Sequence, residues 1–91
     1  MREYVVKIYK PSGKCNISGE RLRATRESVA LSQEQLAARL QLAGLNVTQK
    51  TISRMENGQR VIADYELPFL ADALDVTVYY LLGIEEQQQN R

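Results

Sequence analysis

The apolar positions of this chain follow two different periods. Residues 4–9, Tyr-Val-Val-Lys-Ile-Tyr, are β-branched and aromatic and predict a strand. Lys10-Pro11-Ser12-Gly13-Lys14 then signals a turn. From Ser18 the spacing becomes helical. A first helix over about 18–29 is expected, with Ser18 as cap, Glu20 in the first turn, and Leu22, Arg26 and Val29 on the repeat. Leu31 precedes Ser32-Gln33-Glu34-Gln35, a capping box that opens a second helix. Leu36, Ala37, Leu40 and Ala43 form its apolar stripe, and Gly44 is its stop. A third helix is marked at both ends, by Thr48 as N-cap and Gly58 at C′, with Val47, Ile52 and Met55 on its inner side. Asp64 is the expected cap of a fourth helix, with Pro68 early in it and Leu67, Leu70, Ala71 and Leu74 inward. Thr77 caps a fifth, containing Val78, Leu81 and Leu82 and ended by Gly83.

These elements divide the chain into an arm over 1–17, a helical domain over 18–84 and a polar tail over 85–91. The tail has nothing apolar to bury and is expected to fray. The strand over 4–9 has no second strand-like segment to pair with. It either pairs with the same strand of another subunit or lies as an extended arm across the helices.

Composition narrows the function classes. Ninety-one residues suffice for one domain with a modest core. A single cysteine, Cys15, excludes an internal disulfide and reads as an inert thiol in a reducing compartment. No run is apolar and long enough to span a bilayer, and the N-terminus lacks a signal-peptide core, so a cytoplasmic protein is expected. There is no His, no cysteine pair, no phosphate-cradling Gly-rich loop and no acidic cluster at metal-ligand spacing. A non-enzyme without cofactor or metal is therefore expected.

Charge changes the picture more. The net +1 hides an asymmetry: residues 1–60 hold eleven of the twelve Lys/Arg and five of the eleven acids, a surplus of +6. Residues 61–91 hold one Arg and six acids, a net of −5. Such a split suggests a basic binding region backed by an acidic remainder. The outer face of the third helix carries Gln49, Lys50, Ser53, Arg54 and Asn57, with no carboxylate among them. An ordinary solvated face would mix signs; this one reads as a hydrogen-bonding surface for an anion.

Three blocks carry a family resemblance: Leu31-Ser32-Gln33-Glu34-Gln35-Leu36-Ala37; Val47-Thr48-Gln49 with Thr51-Ile52-Ser53-Arg54-Met55-Glu56-Asn57-Gly58; and Leu70-Ala71-Asp72-Ala73-Leu74-Asp75-Val76-Thr77. In this order, over about residues 19–83, they resemble the Cro/C1-type (XRE) helix-turn-helix regulators. The resemblance implies an all-α, five-helix, lambda-repressor-like DNA-binding domain, here with an N-terminal extended or β arm. It implies a third helix lying in the DNA major groove. By position, Gln49, Lys50 and Ser53 are implied to face the bases, where Gln suits adenine and Lys suits guanine. Gln33 is implied to hold a phosphate and brace Gln49. Independently of the family, the free N–H groups of that helix end favour an anion. Thr51, Arg54, Asn57 and Arg60 are implied phosphate contacts. Arg26 and Glu56 occupy the positions of a structural ion pair.

One departure from the family pattern stands out. The link between the second and third helices is usually a tight turn, whereas Gln41-Leu42-Ala43-Gly44-Leu45-Asn46 is longer. With Leu42 and Leu45 apolar, an added helical turn and a packed loop are expected. The function expected is a sequence-specific regulator of double-stranded DNA, a repressor in its simplest form, acting as a homodimer. Tyr79 and Tyr80 on the fifth helix either sit partly buried or join Leu82 and Ile84 in a dimer patch. The alternative reading is an antitoxin or adaptor that binds a protein partner, favoured by the long linker and the apolar arm.

Overall fold

Ser32 marks the best-defined boundary in the chain. Its Oγ accepts from the Gln35 N–H at 3.0 Å, and the Gln35 Oε1 accepts from the Ser32 N–H at 2.8 Å. The capping box read from sequence thus opens the second helix. The computed structural model describes residues 10–84, in which a short 3₁₀ turn, Pro11–Gly13, is followed by five α-helices. These are α1 (Gly19–Ser28), α2 (Gln33–Leu42), α3 (Gln49–Glu56), α4 (Glu66–Leu74) and α5 (Val78–Leu82). The described residues are all-helical, as expected. The strand expected over 4–9 and the tail over 85–91 lie outside them.

α3 has only eight residues. Isolated helices shorter than about 12–15 residues are marginal in water, so tertiary packing must hold this one. Ile52 and Met55 supply that packing, both fully buried in a core with Leu22, Leu36, Leu40, Leu70 and Leu81. Each such side chain contributes roughly 1.5–3 kcal/mol on burial. α2 packs on α3 and α4, while α1 packs on α3, α4 and α5. At its start, the Thr48 Oγ1 accepts from the Thr51 N–H at 3.2 Å. At its end, Gly58 adopts φ +75°, a left-handed conformation costly for side-chain-bearing residues.

Several boundaries differ from the sequence expectation. Ser18 stands at the N-cap of α1, but its side chain makes no cap bond. Asn16 takes that work instead, its Oδ1 accepting from the Gly19 N–H at 2.8 Å. The Asn16 amide also donates to the carbonyls of Met55 at 2.9 Å and Arg60 at 2.8 Å, tying the entry of α1 to the end of α3. The approach is close enough that a Cβ on Gly19 would collide with the Met55 carbonyl oxygen. Val29, expected on the inner repeat, follows the end of α1 and is exposed.

The α4 entry also departs from expectation. Tyr65, not Asp64, is the N-cap residue, without a side-chain cap bond. The Ala63 N–H, two residues before that cap, donates to the Glu66 Oε1 at 2.8 Å, so the first residue of α4 holds the turn that leads into it. Pro68 is the third residue of α4, where its missing N–H costs little. At α5 the Thr77 Oγ1 accepts from the Tyr80 N–H at 3.0 Å, as expected.

The long linker splits in two. α2 does extend to Leu42, and Leu45 is buried in the core, but Leu42 is 90% exposed and Ala43 is exposed as well. Leu45 is drawn in because its N–H closes back on the Leu40 carbonyl at 2.9 Å. Leu42, two residues after the buried Leu40, falls on the opposite face of the helix.

Candidate nucleic-acid interface

The inward positions of α3 force its remaining side chains outward. With Ile52, Met55 and Glu56 buried, Gln49, Lys50, Ser53, Arg54 and Asn57 form one stripe at three- and four-residue spacing. Lys50, Arg54 and Asn57 are exposed, and Gln49 and Ser53 are half-buried. Thr51 is also half-buried, its hydroxyl 3.1 Å from that of the capping Thr48. Among these side chains there are two cations and no acid.

Gln33, the first residue of α2, meets the first residue of α3. The Gln49 Nε2 donates to the Gln33 Oε1 at 2.6 Å. In turn the Gln33 Nε2 donates to the Glu56 Oε1 at 2.9 Å. The one acid of α3 is thus turned away from the outer stripe. Its side chain is 1% exposed and receives the Arg26 Nε at 2.6 Å and Nη2 at 3.0 Å. Arg26 Nη1 donates to the Leu31 carbonyl at 2.8 Å. The hydrogen bond to Glu56 raises the Arg26 pKa, outweighing the opposing effect of burial. A charge pair this enclosed is balanced, and it leaves no net negative charge behind the stripe.

Arg60 lies apart from the α3 stripe. Its Nη1 and Nη2 both donate to the Glu66 carboxylate, each at 2.9 Å, and Nη1 also reaches the Val61 carbonyl at 3.0 Å. Burial alone would raise the Glu66 pKa. The Arg60 guanidinium and the Ala63 N–H reverse that and hold it below its ordinary value. The structure therefore brings Gln33 to the α3 stripe of Gln49, Lys50, Ser53, Arg54 and Asn57, leaves Thr51 beside its cap residue Thr48, and ties Arg60 to Glu66. Asn16 and Glu66 were missed as organisers of this region. The signals were local: an Asn three residues before Gly19, and a Glu three residues after Ala63.

Among the described residues, no group of His, Cys, Asp and Glu is arranged to hold a metal, and no helix is long and apolar enough to cross a membrane. A family model described as a helix-turn-helix domain matches residues 19–78, from the first residue of α1 to the first of α5. The chain belongs to the helix-turn-helix family, in its Cro/C1-type branch.

Two solved structures place the fold further within that family. The P22 c2 repressor in complex with synthetic operator 9T, solved in the presence of Tl⁺, is similar with TM-score 0.65 and 27% identity, covering 77% of this chain and 98% of that one. The restriction-modification controller protein C.AhdI from Aeromonas hydrophila is similar with TM-score 0.61 and 36% identity, covering 70% of this chain and 86% of that one. Both names are those of regulators, not of enzymes. No match was found among the curated proteins. The three sequence blocks therefore identified both the family and its five-helix fold.

Proposed function

We propose that this protein is a sequence-specific transcriptional regulator, acting most simply as a repressor, that lays α3 in the major groove of double-stranded DNA. The observation that carries this reading is the acid-free stripe of Gln49, Lys50, Ser53, Arg54 and Asn57 on a rigidly packed helix. Its N-terminal residue, Gln49, is oriented by Gln33 before any ligand arrives. Gln49, Lys50 and Ser53 face the base edges, and Thr51, Arg54, Asn57 and Gln33 hold phosphates. Arg60, whose charge is balanced by Glu66, holds a phosphate through the N–H groups that this pair leaves over. The operator bound by the similar P22 c2 repressor supports a duplex as the ligand.

A homodimer fits the same reading. Tyr79, Tyr80 and Ile84 are exposed at the α5 end of the domain and can form a two-fold contact. Two recognition helices about 34 Å apart would then favour a palindromic site. A protein partner is the second reading, favoured by the near-complete exposure of Leu42 on the lengthened α2–α3 link.

Selection of bound duplexes from a random pool, followed by anisotropy titration of the winners, tests the proposal. A preferred sequence with two related half-sites is expected. Failure to retain any duplex at low salt would sink it.

A further inference from the structure

Gln33 and Gln49 are amides, and an amide's two ends have nearly the same shape. Nothing in the packing of either side chain would by itself tell oxygen from nitrogen. Glu56 breaks that symmetry. We propose that Glu56, beyond its ion pair with Arg26, is a positioning residue for base reading, setting the direction of the hydrogen-bond chain that ends at Gln49. The inference rests on the DNA-reading proposal above and deepens it.

A carboxylate can only accept, so the Gln33 atom 2.9 Å from Glu56 is its nitrogen. The oxygen of Gln33 is then the atom 2.6 Å from Gln49, and it too can only accept. Gln49 must therefore meet it with Nε2. The origin of this chain is immobile. Glu56 is 1% exposed on its side chain and gripped by two N–H groups of Arg26, which is itself tied to the Leu31 carbonyl. Reversing Gln33 would set its oxygen against the carboxylate, two acceptors face to face with no proton between them.

The direction decides what Gln49 has left to offer. One of its two Nε2 hydrogens is used on Gln33, leaving one donor and the Oε1 acceptor. That pair complements adenine in the major groove, which presents the N7 acceptor and the N6 donor. Guanine presents two acceptors, N7 and O6. With the chain reversed, the Gln49 oxygen would accept from Gln33 and both of its N–H groups would be free, the pattern that suits guanine. Glu56 thus selects adenine over guanine without touching DNA.

The double variant Arg26→Met with Glu56→Gln tests this, because once the Arg26 donors that face both carboxylate oxygens are gone the introduced amide can present either end to Gln33 and permits both directions. Wild type and variant are titrated with two duplexes differing only by A·T or G·C at the base pair whose preference is lost in Gln49→Ala. The expected wild-type preference for adenine, roughly 5–150-fold for one bidentate pair, falls toward parity in the variant. The salt dependence of binding stays unchanged. Equal weakening on both duplexes, or an unchanged ratio, would show that Glu56 serves the fold alone and overturn the proposal. Absence of wild-type binding to either duplex would instead defeat the DNA reading itself.

Should the variant fail to fold, wild type still answers. In NMR spectra of its duplex complex, a Gln33 side-chain amide proton slow to exchange and coupled to the Glu56 carboxyl carbon is expected, together with a Gln49 amide proton coupled to the Gln33 side-chain carbonyl carbon. A coupling in the reverse sense, from a Gln33 amide proton to the Gln49 side-chain carbonyl carbon, would overturn the proposal.

Discussion

Among the described residues the Gln49 side chain makes one hydrogen bond, to Gln33. Gln49→Ala is expected to weaken binding to the preferred duplex by ~1–3 kcal/mol and relax preference at one base pair. Paired titrations on matched and mismatched duplexes measure this. Arg54 stands exposed one turn further along α3. Arg54→Ala should weaken all duplexes alike and reduce the salt slope by about one; a base-selective loss would reassign its role. Arg26 acts inside the molecule. Arg26→Met leaves the Glu56 carboxylate buried without its cation, an expected loss of ~3–5 kcal/mol in denaturant unfolding at neutral pH. The residue roles were unevenly legible. The Gln33–Gln49 contact and the Arg26–Glu56 pair followed from the family positions of these residues. The bond of Arg60 to Glu66 did not, because it depends on how the loop over 59–65 doubles back, and no periodicity governs that loop.

The elements were legible where a side chain with one dominant local option marks an end. Ser32, Thr48 and Thr77 all cap as expected because a hydroxyl in extended backbone faces free first-turn N–H groups. Asp64 and Ser18 do not, since Glu66 and Asn16 satisfy the neighbouring N–H groups from other directions. Leu42 shows a different limit: apolar character alone did not tell which side of an added helical turn would meet the core. The α4 entry has a pH signature. Glu66 has a folded pKa below its ordinary value of 4.5, so its bond to Arg60 stabilises the fold fully above that pH. The contribution is lost as pH falls through the lower folded value. Glu66→Gln should therefore cost on the order of 1 kcal/mol at pH 7, kept small because Arg60 is partly solvated. The gap to wild type should narrow as pH drops below the ordinary carboxylate range. Urea midpoints at neutral and acidic pH measure it; a gap that widens in acid would contradict the assignment.

At the scale of the whole molecule, charge and fold point the same way. Among the described residues, 10–60 hold nine Lys/Arg and four acids, Lys50 and Arg54 of the α3 stripe among them, while 61–84 hold four acids, Asp64, Glu66, Asp72 and Asp75, and no Lys/Arg. An uneven distribution of charge of this kind favours the approach of a polyanion to the basic part of a molecule. Both the charge split and the acid-free face were plain in the sequence, the latter because Glu56 occupies an ion-pair position with Arg26 and is turned into the core. Methylation interference on a selected duplex tests the central claim most directly, because guanine N7 lies in the major groove and adenine N3 in the minor. Loss of binding from methyl groups at guanine N7 within each half-site, with adenine N3 methylation tolerated there, is the expected result. Interference confined to adenine N3 would contradict a recognition helix seated in the major groove.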